Sequence, residues 1–414
     1  MKRNGILILM AITLVMSACK KKGCTDPTAL NYSSKAKKDD GTCKYAQTPT
    51  INAKTLDCQE FNNPGTTYQL VDLGLEIDYI VDCKMPITCD LTIMPGVGIA
   101  FETDAGLRVN NTGSISAIGS TNAPIIFTGI DKSKGAWAGI FVDSDDTKNE
   151  FEHCKIEYAG GDDFNSNGDK GSFILYAGST AKINNTNISN CLEYGINANY
   201  GGGSFTFSNN TITSCSKPMF IAAEYGSSIS GGTFTGNTTD VIFIDTYAGD
   251  GDVKTSQTWS NLNVPYRVKG GSTVQSKADW TIAPGVVMEF EPSSGILVND
   301  GKSLKAVGTP SEKIIFRGVN SGAGAWEHIY FNGTNLLNEI GFAEISDGGE
   351  DPTNTKGSVF VYYNAKLNIH DVSFNNNAAC GVYGKLLSSQ TANPNYSSSN
   401  LTFTNTPCTE NFEN

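Results

Sequence analysis

Thr92-Ile93-Met94-Pro95-Gly96-Val97 is answered later in the same chain by Thr281-Ile282-Ala283-Pro284-Gly285-Val286. The offset is 281 − 92 = 189. At that offset Phe101 meets Phe290, Val109 meets Val298, Ala117 meets Ala306 and Gly119 meets Gly308. Ile125-Ile126-Phe127 meets Ile314-Ile315-Phe316, and Ala136-Trp137 meets Ala325-Trp326. Further on the offset drifts by a few residues: Gly171-Ser172 matches Gly357-Ser358, and Ala181-Lys182 matches Ala365-Lys366. Repetition whose slippage is confined to loops is the behaviour of a solenoid.

A finer rhythm runs inside each copy. Gly98–Phe101, Gly106–Val109, Ser114–Ala117, Ile125–Thr128 and Gly139–Val142 are short alternating segments separated by Gly, Asn, Asp or Ser. Period-two patterning predicts strands. Their brevity suits three strands per coil, wound about one axis, with about 20–25 residues per turn. Asn-rich corners such as Asn184-Asn185-Thr186-Asn187 fit, because Asn tolerates the left-handed conformation of a sharp turn and stacked Asn side chains can form hydrogen-bonded ladders. Trp137 and Trp326 recur in register, so both are expected as packing residues, not as sugar platforms.

Leu91–Val97, Phe101, Gly113–Gly119, Pro124–Gly129, Trp137–Ile140 and Cys154–Gly161 together resemble the β-helix repeats of bacterial surface lipoproteins within the pectin-lyase-like superfamily. The resemblance implies an all-β chain forming a right-handed parallel β-helix solenoid of two sequence-related halves, 49–265 and 266–414. It is a fold signature and carries no catalytic residue.

The amino terminus is read separately from the fold. Met1-Lys2-Arg3, an apolar run from Ile6 to Met16, and Ser17-Ala18 describe a secretory signal over residues 1–18. The run is too short for the roughly 20 residues that span a bilayer. Met16-Ser17-Ala18-Cys19 resembles the lipobox of bacterial lipoproteins, with Met where leucine is usual. That resemblance implies acylation of Cys19 and membrane attachment through its acyl chains. Lys20-Lys21-Lys22 would lie against anionic head groups. The absence of aspartate at position 20 implies the outer membrane. Residues 19–48 are then a lipid-anchored linker. Within it, Cys24-Thr25-Asp26-Pro27 through Asp39-Asp40-Gly41-Thr42-Cys43 resembles a short surface-protein motif. Cys24 and Cys43 can close its loop, because so small a segment needs a staple.

Composition agrees with export. Of 414 residues 44 are Gly and only 17% are charged, and long helical patterns are missing. Removing residues 1–18 takes away Lys2 and Arg3 and no acid, so the net charge moves from −12 to −14. Nucleic-acid binding wants clustered positive charge and is not expected. Setting Cys19 aside, ten of the eleven cysteines remain, an even number suited to an oxidising compartment. Cys191 and Cys215 are 24 apart, near one coil; Cys380 lies 189 after Cys191, and Cys408 lies 193 after Cys215. The bridges expected are Cys191–Cys215 and Cys380–Cys408, one pair in each half. Cys58, Cys83, Cys89 and Cys154 stay unassigned.

Catalytic patterns are missing. The three histidines, His153, His328 and His370, lack the glycine neighbours of polygalacturonase-like enzymes, and no Arg-Ile-Lys occurs. After the signal only Arg108, Arg267 and Arg317 remain to serve a lyase, and Arg108 falls on Leu297 at the repeat offset. One loop resembles the first half of a calcium-binding loop: Asp163, Asn165, Asn167 and Asp169 alternate around Gly168, although Ile174 stands where the twelfth-position Glu belongs. Calcium is therefore the one cofactor considered. The expectation is a cell-surface lipoprotein acting as a non-enzymatic scaffold, for adhesion or glycan binding, with an extracellular polysaccharide or a surface protein as partner. The alternative is a polysaccharide lyase or hydrolase acting on acidic glycans. A face joining carboxylates, a basic residue and aromatics would favour the enzyme; a polar, featureless face would favour the scaffold.

Overall fold

The computed structural model describes residues 21–27, 29–44, 52–165, 167–246, 252–351 and 353–414. The signal segment and Cys19 lie outside the described residues. The chain divides into two compact units, 1–52 and 53–414.

In the small unit Cys24 and Cys43 are joined, with Cα atoms 4.8 Å apart. Asn31 knits the loop, its Nδ2 donating to Thr42 O (2.7 Å) and its Oδ1 accepting from Lys44 N (2.7 Å). Asp39 and Asp40 accept from Gly41 N and Thr42 N. These carboxylates hold their own turns.

Residues 53–414 form a parallel β-helix solenoid. In the N-terminal half each coil visits three sheets in turn. Face I contains Tyr79–Val81, Gly98–Phe101, Ile125–Gly129, Cys154–Glu157, Asn187–Ser189 and Thr211–Thr213. Face II contains Lys84–Ile87, Gly106–Val109, Gly139–Val142, Phe173–Leu175, Tyr194–Ala198, Lys217–Ala222 and Ile242–Asp245. Face III contains Thr67–Leu70, Asp90–Ile93, Ser114–Ile118, Glu150–Glu152, Thr180–Asn184, Ser204–Ser208 and Ile229–Ser230. Every strand pairing is parallel, as expected when each strand meets its counterpart one coil away. Alternate residues point inward and stack into one core: Ile140 and Val142, for instance, are fully buried there.

The repeat is visible as repeated contacts. Phe101 stacks on Trp137 with ring centroids 4.0 Å apart, and Phe290 stacks on Trp326 at 4.3 Å. Each indole donates to a carbonyl on the next coil, Trp137 Nε1 to Glu157 O at 2.8 Å and Trp326 Nε1 to Ser346 O at 2.7 Å. Both tryptophans are fully buried, which settles their packing role. Gly96 and Gly285, in the quoted Pro-Gly turns, adopt φ of 89° and 78°, a region that penalises any Cβ. Asn185, Asn190 and Asn209 hold left-handed corners, and Asn210 bridges coils by accepting from Thr186 N (2.8 Å) and donating to Ile183 O (2.7 Å).

The two halves join without a break, but not face to equivalent face. Ile242–Asp245 of face II pairs with Tyr266–Val268, whose counterpart by sequence is Tyr79–Val81 on face I. Val253 makes a single bridge to Ser276, and Gln257–Trp259 pairs with Asp279–Ile282. The second copy is thus turned by one face about the axis relative to the first. Face II continues through Val287–Phe290 and Ile314–Gly318. The strands equivalent to the first half's face II form a separate sheet: Thr273–Ser276, Gly295–Val298, Ile329–Phe331, Gly357–Tyr362, Cys380–Lys385 and Cys408–Glu413.

Among the described residues four bridges are present: Cys24–Cys43, Cys58–Cys83, Cys191–Cys215 and Cys380–Cys408. Cys89 and Cys154 are buried free thiols. Both expected bridges form, but Cys191–Cys215 and Cys380–Cys408 are not copies of one another. Phe173 pairs with Ile196, and the equivalent Val359 pairs with Val382. That register sets Cys380 at the place of Tyr194, and Asn377 at the place of Cys191. Ser172 Oγ accordingly donates to Cys191 Sγ (2.8 Å), while Ser358 Oγ donates to Asn377 Oδ1 (2.8 Å). Cys191–Cys215 sits in the core corner; Cys380–Cys408 packs on the outer surface with Phe360 and Tyr383.

Candidate functional site

Inward positions build the core, so any binding surface must use the outward ones. On face II the outward residues form one ladder: Pro86, Arg108, Phe141, Ile174, Asn197, Phe220, Phe243, Arg267, Glu289 and Arg317 are successive cross-strand neighbours. At about 4.8 Å per coil, Arg108 and Arg317 are roughly 38 Å apart along the axis. All three arginines that follow the signal therefore lie on one line. The repeat offset concealed this, because it compares Arg108 with Leu297 on a different sheet. The turn of the second copy by one face brings Arg267 and Arg317 into line with Arg108. Their first-half counterparts are Ile80 and Thr128.

The ladder's C-terminal end is an Arg–Glu–Arg triad. Arg267 reaches Glu289 Oε2 with Nη2 at 2.6 Å and Nε at 2.9 Å. Arg317 reaches Oε1 with Nη2 at 2.6 Å and Nε at 3.2 Å. One buried carboxylate thus holds two guanidiniums and leaves one positive charge unbalanced. Arg317 is the outer member, its side chain 45% exposed. Arg267 also lies 5.5 Å over the Phe243 ring. Around it, Lys217 covers Tyr194 (4.8 Å) and Phe243 (5.6 Å), and Lys269 covers Phe220 (5.3 Å). Burial pushes the Tyr194 phenol up to about 12, helped by Glu193, Glu291 and Asp245.

The ladder's N-terminal end is closed. Phe141 lies under Phe164 of the loop 158–172, with centroids 5.3 Å apart, and is only 1% exposed. Arg108 lies 5.2 Å over Phe141 and Lys84 5.6 Å over Phe164.

That same loop carries the expected calcium ligands. The structure brings Asn165 and Asp169 together by joining them: Asn165 Nδ2 donates to Asp169 Oδ2 at 2.7 Å. The Tyr200 hydroxyl donates to the same oxygen at 3.1 Å, and Asn165 Oδ1 accepts from Asn167 N at 3.2 Å. Lys84 donates to Asp163 O and pairs with Asp162 at 2.6 Å. A calcium ion would have to displace these donors and the ammonium. The loop's geometry is explained by Phe164 and its own hydrogen bonds, and the residues present do not fit a ready calcium cradle.

The C-terminal half carries a second outward aromatic run: Leu297, Tyr330, Phe360 and Tyr383 are successive neighbours, with Tyr362 beside them. Tyr330 and Phe360 centroids are 4.7 Å apart, and Phe360 stacks on Tyr383 at 5.6 Å. His328, two residues before Tyr330, has its ring 5.9 Å from that tyrosine. Its Nδ1 is enclosed without a hydrogen-bond partner, and burial pulls the imidazole down to about 4. Burial, then Glu350 and Asp351, raise the Glu327 carboxyl. Asp351 is held far below the usual carboxylate range by the side chains of Thr353 and Asn354.

His153 and His370 sit beside carboxylates, Glu152 at 3.9 Å and Asp371 at 2.9 Å. Cys154 is pushed up to about 12 by burial and is unsuited to nucleophilic attack.

Fold and surface together define a parallel β-helix carrying two outward aromatic runs on different sheets. Comparison with protein-family models, with curated proteins and with solved structures finds no match.

Proposed function

We propose that this chain is an exported lipoprotein, attached to the outer membrane through acyl chains on Cys19, whose β-helix is a non-enzymatic scaffold that binds extracellular polysaccharide. The observation that carries the binding reading is the face II ladder, where Phe243 lies beside the Arg267–Glu289–Arg317 triad. An aromatic ring offers an apolar face to a sugar, and a planar guanidinium offers paired donors to a carboxylate. The ligand that fits is an acidic glycan lying along the axis, with Arg317 meeting its carboxylates. A rigid face of this length suits adhesion. The likeness of the repeats to those of surface lipoproteins in the pectin-lyase-like superfamily, and the signal followed by Cys19, support the location.

Face II is not featureless, so the lyase or hydrolase alternative needs an answer. Both oxygens of Glu289 are committed to guanidiniums, which removes it as a general base. The Tyr194 phenol, near 12, is also a poor base at neutral pH. Neither Glu289 nor Tyr194 is poised to take a proton.

The test uses the full mature chain on immobilised polygalacturonate. Arg317→Ala should weaken retention about tenfold, the value of one charge-assisted pair, and no unsaturated product should accumulate. Retention unchanged in both Arg317→Ala and Arg267→Ala sinks the binding reading; release of unsaturated uronate sinks the non-enzymatic one. Intact-mass measurement of the amino-terminal peptide from membranes should show acyl groups on Cys19, lost in Cys19→Ser.

A further inference from the structure

The second aromatic run differs from its sequence counterpart in one respect. Tyr330 stands at the strand position of Phe141, and Tyr362 at that of Tyr176. Phe141 is covered by Phe164; the corresponding segment 347–356, Asp-Gly-Gly-Glu-Asp-Pro-Thr-Asn-Thr-Lys, is shorter and contains no aromatic residue. Tyr330 and Tyr362 are consequently left half-buried, Tyr362 with the Tyr363 ring 3.8 Å away. Among the described residues no lysine or arginine lies over Tyr330, Phe360 or Tyr362; Lys356 lies over Tyr383, 5.5 Å from its centroid. Carboxylates lie nearby instead: Glu350 and Asp351 act on Glu327, and Asp351 acts on His328. Glu350 is fixed there by Ser293, whose N donates at 2.6 Å and whose Oγ donates at 3.0 Å.

We propose that the two half-buried tyrosines Tyr330 and Tyr362, set around the buried Phe360, form a second binding site, for an uncharged glycan chain. Exposed tyrosine rings stack against the apolar faces of pyranose rings, and the hydroxyl edges then meet acceptors. Glu327 supplies an acceptor at one edge, and the tyrosine hydroxyls supply donors. The carboxylate rim repels a polyanion, so this site and the face II ladder select opposite chemistries. Glu327 gains from such a ligand, because sugar hydroxyls donating to its carboxylate replace the hydration that burial removes. The site extends the proposed glycan-binding role but does not depend on Arg317.

The experiment measures binding of the full mature chain to cellohexaose, laminarihexaose and mannohexaose by calorimetry, with polygalacturonate in parallel. At least one neutral hexasaccharide should bind. Tyr330→Ala and Tyr362→Ala should each weaken it about tenfold, and Tyr330→Phe should retain most of the affinity. Both alanine variants should hold polygalacturonate as the parent does. No heat with any of the three at millimolar concentration, or unchanged affinity in both alanine variants, overturns the second site. Loss of polygalacturonate binding in Tyr330→Ala also overturns it, since the two surfaces would then be one. Failure of Arg317→Ala to affect polygalacturonate strikes only the face II reading. Thermal unfolding of each variant separates lost binding from lost folding.

Discussion

Phe141 and Tyr330 hold the same place in two copies of one repeat, yet one is sealed and the other is open. The difference lies in a neighbouring loop, not in the strands. Residues 158–172 are long enough to fold Phe164 back onto Phe141, while 347–356 is a short polar corner held by Asp351 on Thr353 and Asn354. In a solenoid the strands are constrained by the coils above and below, so surface variation concentrates in the corners. The comparison teaches that a binding surface on such a scaffold is made or removed by one loop.

The largest effect should come where the halves are most alike. Trp137→Ala and Trp326→Ala each remove a fully buried indole, its stacking partner and a hydrogen bond, and each should cost about 3–5 kcal/mol in denaturant unfolding. Similar costs for both would show that the copies are equivalent in the core; a cost below 1 kcal/mol for either would break that equivalence.

A smaller effect should be confined to the C-terminal half. His328 stays neutral down to about pH 4, whereas an unfolded imidazole protonates near 6.5. Between those values the unfolded chain binds more protons, so stability falls as pH drops from about 6.5 to 4. Glu327 acts in the opposite sense, since a carboxyl raised by burial gains stability on acidification. His328→Gln should flatten the acid limb by about 2 kcal/mol, and hydrogen exchange should place the change around 327–331. Gly139 occupies the equivalent place in the first half, where no such change is expected.

The smallest effect sharpens the contrast between covered and open rings. Phe164→Ala should cost about 1 kcal/mol, because it strips one face of Phe141 without opening the core. Exchange should quicken in 158–172 and leave 347–356 untouched. A loss as large as that of Trp137→Ala would mean that the loop is part of the core.

Much of the fold was legible. The Pro-Gly turns, the alternating segments and the paired tryptophans read directly as stacked coils, because each copy must bury the same face against its neighbours. Bridges within a coil's length were legible as spacing. Cys58–Cys83, 25 residues apart, obeyed the same rule but lacked a partner at the repeat offset to draw attention to it. The binding surfaces were less legible. Arg108, Arg267 and Arg317 share a line only because the second copy is turned by one face relative to the first, and a linear offset cannot register a turn about an axis. The loop with Asp163, Asn165, Asn167 and Asp169 read as a cation loop from its spacing. In the structure Asp169 accepts from Asn165 Nδ2 and Tyr200, and the Asp163 main-chain carbonyl accepts from Lys84.

The placement of two cystines bears on how such a rod comes apart. Cys58–Cys83 ties the first coils described, and Cys380–Cys408 ties the last two. Coils hold only their neighbours, so a rod of this kind frays from its tips, where each departing turn loses a single interface. A coil clasped covalently to its neighbour cannot leave alone, so fraying at either clasp must release two coils together, at a higher interfacial cost. Reducing conditions would remove that protection, and the same rod would unzip inward under protease attack.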